Sequence, residues 1–167
     1  MIILGIDPGS LITGYGLIKV ENNCSTYLDS GCIRTDSKSS MAQRLFTIFK
    51  GVDELVGLYR PTIFAIEEVF MHQNPQAAIK LGQARGVALC CAAMANLEVF
   101  EYAATRIKQT VVGKGHAKKT QVQMMVTHHL KLNRSPQADA ADALAVALTH
   151  AFHAKTLNHL ARQVAQK

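Results

Sequence analysis

The hydrophobic pattern divides the chain into two regimes. Ile2-Ile3-Leu4-Gly5-Ile6 is a short unbroken apolar run, as expected of a central strand covered on both faces. Asp7-Pro8-Gly9-Ser10 punctuates it as a turn. Thr13 to Val20 and Cys24 to Arg34 read as two further strands joined across Glu21-Asn22-Asn23, so the first regime predicts an antiparallel meander. The period then changes. Met41, Leu45, Ile48, Val52, Leu55 and Tyr59 recur at helical spacing, and Pro61 closes that helix.

Thr62 to Ile66 is strand-like again. From Pro75 to Ala95 the spacing predicts a helix with a face of small side chains, Ala78, Leu81, Ala84, Ala88 and Ala92. Glu98 to Tyr102 predicts another strand, and this strand–helix–strand order implies a right-handed parallel crossover. Further helices are expected from near Ala104 and over Lys118 to Leu130. The last helix is read with Ser135 as N-cap and Pro136 in the first helical position, running to about His153. No internal repeat or linker interrupts the pattern. The reading is one α/β domain over residues 1–153, three antiparallel strands followed by alternating helices and strands, with 154–167 as a basic C-terminal tail.

Composition adds limits. Hydrophobic residues make up 49% of the 167 and charged residues 18%, which is globular usage. No apolar run is long enough for a bilayer and Met1 to Leu4 lack the marks of a signal peptide, so a cytoplasmic protein is expected. Cys24, Cys32, Cys90 and Cys91 have no CxxC spacing and read as free thiols; the histidines form no HExxH pattern.

Charge changes the picture more. The net charge is +6, and seven Lys/Arg lie between Tyr102 and Ala138 with no Asp or Glu among them: Arg106, Lys108, Lys114, Lys118, Lys119, Lys131 and Arg134. The rest of the chain holds eleven basic and twelve acidic residues, so the whole excess sits in that one segment. A solvated helical face is one reading of such a run; a polyanionic partner is the other.

The acids are placed pointedly. Asp7 ends the most buried strand and Glu67 ends the other strongly apolar one, with Glu68 beside it. Parallel neighbours bring their C-terminal ends together, where open α/β sheets place their sites. Alternation sends Glu67 and Glu68 to opposite faces, so only one can share a site with Asp7. Asp139 and Asp142 stand three apart on the last helix, hence on one face, among alanines that permit close packing. Each pair alone could be a capped turn or a helix-dipole partner. Together, four acids repel unless cations neutralise them, and carboxylates suit Mg²⁺ or Mn²⁺. Metal-assisted phosphodiester hydrolysis would join the acids and the basic segment in one mechanism.

Several segments carry a family resemblance. Gly5-Ile6-Asp7-Pro8-Gly9-Ser10 with Thr13-Gly14-Tyr15-Gly16, then Phe64-Ala65-Ile66-Glu67 with Val69-Phe70, resemble motifs of the RuvC-type Holliday junction resolvases, of the ribonuclease H-like superfamily. Lys80 to Val87, Val99 to Tyr102, Lys108 to Gly113 and Gln137 to Ala145 are similar to further family segments in the same order. The resemblance implies a five-stranded mixed sheet flanked by helices, with Asp7, Glu67, Asp139 and Asp142 as catalytic and metal-holding residues. Two Mg²⁺ ions per site are implied, with Mn²⁺ as a substitute, and Asp7 matches the residue that touches both. Phe70 matches an aromatic that meets bases at the junction centre; Lys108 and Lys119, with Lys118 as neighbour and Arg85 on the helix before, match DNA-binding positions. The family acts as a homodimer on four-way junction DNA, nicking two like-polarity strands to leave ligatable 5′-phosphate and 3′-hydroxyl ends, with RuvA and RuvB as branch-migration partners. Alternatives within reach of the same residues are a ribonuclease H-like nuclease for structured RNA and a non-catalytic junction-binding protein. An actin-like ATPase or sugar kinase, which shares Asp-x-Gly after a buried strand, needs a duplicated domain that 167 residues do not hold.

Overall fold

The apolar run at the start becomes the middle strand of the sheet. A computed structural model describes residues 1–69 and 74–165 of the chain, from 157 onward as helical backbone alone. Strands β1 (Ile2–Asp7), β2 (Ile12–Glu21), β3 (Cys24–Arg34), β4 (Ile63–Glu67) and β5 (Glu98–Tyr102) form one sheet in the order β3-β2-β1-β4-β5. β1–β2 and β2–β3 pair antiparallel, β1–β4 and β4–β5 parallel, so the meander and the crossover are both present in one mixed sheet.

Alternation along β1 sorts the core into two layers. Leu4 and Ile6, with Leu17, Phe64 and Ile66, pack against α1 (Met41–Tyr59) and α2 (Pro75–Met94). Ile3, with Ile18, Ile63 and Ala65, packs against α5 (Ala138–Ala165) and its neighbours α3 (Ala104–Val112) and α4 (Lys119–His129). The helix ends follow local chemistry. The Ser40 hydroxyl accepts from the Gln43 N–H at 3.3 Å while Gln43 Oε1 accepts from the Ser40 N–H at 3.2 Å, a reciprocal cap that starts α1. Arg60, at φ 47°, turns the chain out of α1 before Pro61. Asn74 caps α2 ahead of Pro75, and Gly113, at φ 83°, ends α3 where a side chain would be strained.

α5 lies unusually close to the sheet. A Cβ at Gly5 would strike the Ala143 carbonyl oxygen, and one at Gly14 would strike that of Asp139. The glycines of β1 and β2 therefore work with the alanines of α5: neither surface carries bulk, and the helix backbone sits on the strands. This approach sets the depth of everything α5 carries at its start.

Two expectations for α5 need correction. It begins at Ala138, not at Pro136, and it continues to Ala165 instead of stopping near His153. The first turn closes from the Ala141 N–H to the Gln137 carbonyl at 2.8 Å. Ser135 does not cap it: its hydroxyl lies 3.4 Å from that of Thr127, and the Pro136 carbonyl accepts from the Gln123 side chain. Tertiary bonds to α4 have captured the two residues whose local preference favoured a helix start. The small-residue face of α2 is largely spent within the chain, with Ala84, Ala88, Cys91 and Ala92 buried against the sheet and α1. Among the described residues no helix is long and apolar enough to cross a membrane.

Candidate active site

Register brings the acids together. Ile6 pairs with Ile66 across β1 and β4, so the next residues, Asp7 and Glu67, end adjacent parallel strands side by side. Both follow the alternation that points Gly5 and Ala65 at α5. Glu68 has the opposite parity; it is exposed and its N–H is bonded to the Tyr102 carbonyl at 2.9 Å. From the other side, the start of α5 contributes Asp139 and Asp142. Asp7, Glu67 and Asp142 line one pocket of about 130 Å³ together with Lys108 of α3 and Lys119 of α4. A neighbouring cleft of about 700 Å³ runs from Asp7 and Glu67 along Pro8, Glu68, Val69, Leu81 and the Ala103–Lys108 stretch.

Electrostatics mark this pocket as under-neutralised. Burial, then the negative charges of Glu67 and Asp142 and more weakly that of Asp139, pushes Asp7 up to about 8, against a smaller pull down from Lys119. Glu67 is raised as well, by burial and then Asp142, with Lys108 and Lys119 opposing. Lys119 Nζ sits 3.0 Å from Asp142 Oδ2, and this bond raises the lysine's own affinity for its proton. Cys32 lies at the outer margin, its thiol raised by burial and by Asp139, which keeps it protonated rather than reactive.

Among the described residues no three His, Cys, Asp or Glu side chains close into a ready-made cation cage. Asp7, Glu67 and Asp142 instead line a space where the Lys119 ammonium supplies positive charge, while Asp139 does not line it and acts on Asp7 as the weakest of the neighbouring charges. The donor chemistry fits a hard divalent cation: every candidate ligand is a carboxylate oxygen, and the mutual repulsion at Asp7 is what such a cation would relieve.

The expected DNA-contacting residues separate into groups. Lys108 and Lys119 are brought to the carboxylates. Lys118 is exposed just before α4, where its N–H donates to Gln121 Oε1 at 2.9 Å, and it does not line the pocket. Arg85 is engaged inside the fold: its Nε donates to the Glu67 carbonyl at 3.2 Å and its Nη2 pairs with Glu101. Phe70 lies outside the described residues. The acid-free basic segment is also split, since Lys131 and Arg134 line a different groove of about 870 Å³, between β3 and the loop before α5.

Sequence reasoning missed two groups around this site. Arg44 of α1 holds the turn that follows Asp7, with bonds to the Ser10 carbonyl and to Thr35. Tyr102, the register partner of Glu67, is tied to α5 through His150, with Oη and Nδ1 2.9 Å apart. Neither has a local sequence signal; an arginine amid an otherwise apolar helix face was the one available hint.

A mixed five-stranded sheet whose central strand ends bear acids, facing two more on a closely packed helix, has the architecture of the ribonuclease H-like nucleases. Residues 3–150 match the family model of the crossover junction endodeoxyribonuclease RuvC. The chain is 58% identical to the RuvC of Marinobacter nauticus, over 96% of this chain and 91% of that protein, and 60% identical to that of Serratia proteamaculans, over 89% and 86%. Among solved structures, Thermus thermophilus RuvC in complex with a Holliday junction substrate superposes with a TM-score of 0.87 at 35% identity, covering 93% of this chain and 96% of that one. The yeast mitochondrial Holliday junction resolvase Ydc2, at 12% identity and a TM-score of 0.68, shares the fold over 98% of this chain and 85% of its own. This chain belongs to the RuvC family of crossover junction endodeoxyribonucleases.

Proposed function

We propose that the chain resolves four-way DNA junctions by nicking two like-polarity strands at the carboxylate pocket, acting as a homodimer. The observation that carries this reading is that Asp7, Glu67 and Asp142, from two strand ends and one helix, line a single self-repelling pocket, with Asp139 one turn earlier on the same helix adding its charge at Asp7. In this reading these four are the catalytic residues and would hold Mg²⁺, with Mn²⁺ as substitute; two ions per site are what the family resemblance implies. Bound there, divalent cations supply an activated water and charge stabilisation for the leaving oxygen.

The chain's own residues do the rest. Asp7, central to the cluster, and Glu67 beside it would hold the cations against which the reacting phosphate is placed. Asp142 is kept in place by Lys119 until substrate and cation arrive. Lys108 and Lys119 draw the sugar–phosphate backbone towards the acids, and Lys118 extends that attraction outside the pocket. Arg85, already paired, braces the strand end that carries Glu67 rather than meeting DNA. Phe70 would meet bases beside the nick. A two-fold dimer presents one pocket to each of two symmetric strands, and the exposed Ile79 and Met94 of α2 leave apolar surface for that contact. RuvA and RuvB are the partners that the family implies.

The test is incubation with a labelled four-way junction and Mg²⁺, beside a linear duplex and a structured RNA of equal length, with every nick mapped. Paired, ligatable nicks at symmetric positions of the junction are expected. Equal cutting of the linear duplex, or cutting of RNA alone, would overturn the reading.

A further inference from the structure

Arg44 presents an electrostatic problem that the carboxylate pocket does not solve. It is 8% exposed, on the first turns of α1, beneath the Pro8–Leu11 turn that follows Asp7. Its Nε donates to the Ser10 carbonyl at 3.1 Å and to Thr35 Oγ1 at 3.2 Å, and its Nη2 donates to the same carbonyl. Thr35 reinforces the grip, donating from its hydroxyl to Ser10 at 2.9 Å and from its N–H to the Leu11 carbonyl at 3.0 Å. Every partner is neutral. Among the described residues no carboxylate comes within ion-pair distance of Arg44. Asp36, the acid nearest in sequence, is folded into its own turn, accepting from the Lys38 N–H at 2.9 Å and the Ser39 hydroxyl at 3.4 Å.

Burying a guanidinium without a counter-charge is costly, and bridging two neutral acceptors does not require an arginine. The fork also has capacity left over. Nη1 makes no hydrogen bond to a described residue, yet no buried side-chain nitrogen or oxygen among them lacks a partner, so Nη1 opens to solvent. A nine-tenths buried cation thus keeps Nη1, with its two N–H groups, in contact with solvent, beside the turn that leads away from Asp7.

We propose that Arg44 is a phosphate-binding arginine: its outer N–H groups take a non-bridging oxygen of the DNA backbone where the nicked strand crosses the Pro8–Leu11 turn. This rests on the junction-nicking reading above and extends it. Lys108 and Lys119 come from α3 and α4, on the α5 face of the sheet; Arg44 comes from α1, on the other face, and reaches the turn beyond the end of β1 beside Thr35, which follows β3. The backbone would therefore be held on both sides of the reacting phosphate, and the phosphate would supply the charge that Arg44 lacks. Guanidinium geometry suits this double duty, gripping the turn with one edge and a phosphate with the other.

The test compares wild type, Arg44→Met and Arg44→Lys binding to a four-way junction in Ca²⁺ across a salt titration. The junction is also made with single methylphosphonates at each of about three positions either side of the nick, given the 3.4 Å rise per nucleotide of a strand. The Met variant is expected to bind roughly fivefold to tenfold more weakly near 0.1 M salt, with its log–log salt slope smaller by about 0.9, the value of one lost phosphate contact; the Lys variant keeps the slope. One methylphosphonate should weaken wild type and leave the Met variant unaffected. A folded Met variant with the wild-type slope, and equal losses for both proteins at every position, would overturn the assignment. If the Met variant does not fold, the Arg44 guanidinium NMR signals of wild type decide: they shift with the native junction and not with the one carrying that methylphosphonate, or the assignment fails. Wild type that binds no junction defeats the underlying reading; wild type that binds with Arg44 unmoved defeats this inference alone.

Discussion

Two polar clusters flank the C-terminal part of the sheet, and they are built on opposite principles. Tyr102, His150 and His153 join β5 to α5 in a network that satisfies itself: the Tyr102 hydroxyl lies 2.9 Å from His150 Nδ1 and 3.4 Å from His153 Nδ1, and the His150 ring packs on Phe100 with centroids 4.2 Å apart. Burial, then the neighbouring His153, lowers His150 to about 4, so it stays neutral and needs no ion. The carboxylate cluster, on the neighbouring strands β1 and β4 and the start of the same helix, gathers like charges and raises Asp7 to about 8. Buried polar groups that serve the fold close their own bonds. The carboxylates proposed to hold a cation are left open instead, at a cost in stability that the bound ion would recover.

The largest expected effect comes from removing one member of the open cluster. Asp7→Asn should cut junction nicking by about 10²- to 10³-fold, the scale of losing a key electrostatic group at a reaction centre. Without divalent cations the same change should raise the melting temperature at neutral pH, because Asp7 must take up a proton on folding or else bear its charge among like charges, and the amide needs neither. Unchanged nicking would remove Asp7 from the site; a lower melting temperature would show that the cluster stabilises the fold and collapse the contrast.

The closed network should answer to pH instead. Folded His150 stays neutral down to about 4, whereas the unfolded chain protonates it near 6.5. At this residue the unfolded state therefore binds more protons between these values, so its contribution to stability is lost as pH drops through that window. Asp7, pushed up to about 8, works the opposite way over the same range, so the His150 share is read as the difference between wild type and His150→Gln. That share is on the order of 2 kcal/mol, read as an acid loss of melting temperature greater by about 5 °C in wild type than in the variant. His150→Gln, whose side chain does not titrate, should flatten the curve; an equally steep curve in that variant would place the titration elsewhere. The smallest effect belongs to the rim. Lys108→Ala should reduce the salt slope of junction binding by about 0.9, and an unchanged slope would take Lys108 off the DNA path.

The contrast also explains which features were readable from the chain alone. Asp7 and Glu67 stand out because an acid that ends an apolar strand violates the pattern around it, and strand parity alone separates Glu67 from Glu68. The alanines around Asp139 and Asp142 announce a closely packed helix, which Gly5 and Gly14 accept. The closed network has no such signature: Tyr102 and His150 are 48 residues apart and meet only after α5 docks. Ser135 and Pro136 misled for a related reason, since a tertiary bond from Gln123 outweighed a local capping preference worth about 1 kcal/mol. Arg85 and Arg44 show the same limit from the side of charge. Sequence shows a cation; only packing shows that one is spent on Glu101 and Glu67 while the other is held under a turn without an anion.

The central claim is that the four carboxylates form an open, under-neutralised cation site. Thermal unfolding of wild type and Asp7→Asn across a Mn²⁺ titration tests it most directly, free of any assay of cleavage. Wild type should gain stability with Mn²⁺ in a saturable way, while the variant, more stable at the outset, gains little. Equal gains in both proteins, or none in either, would contradict the account.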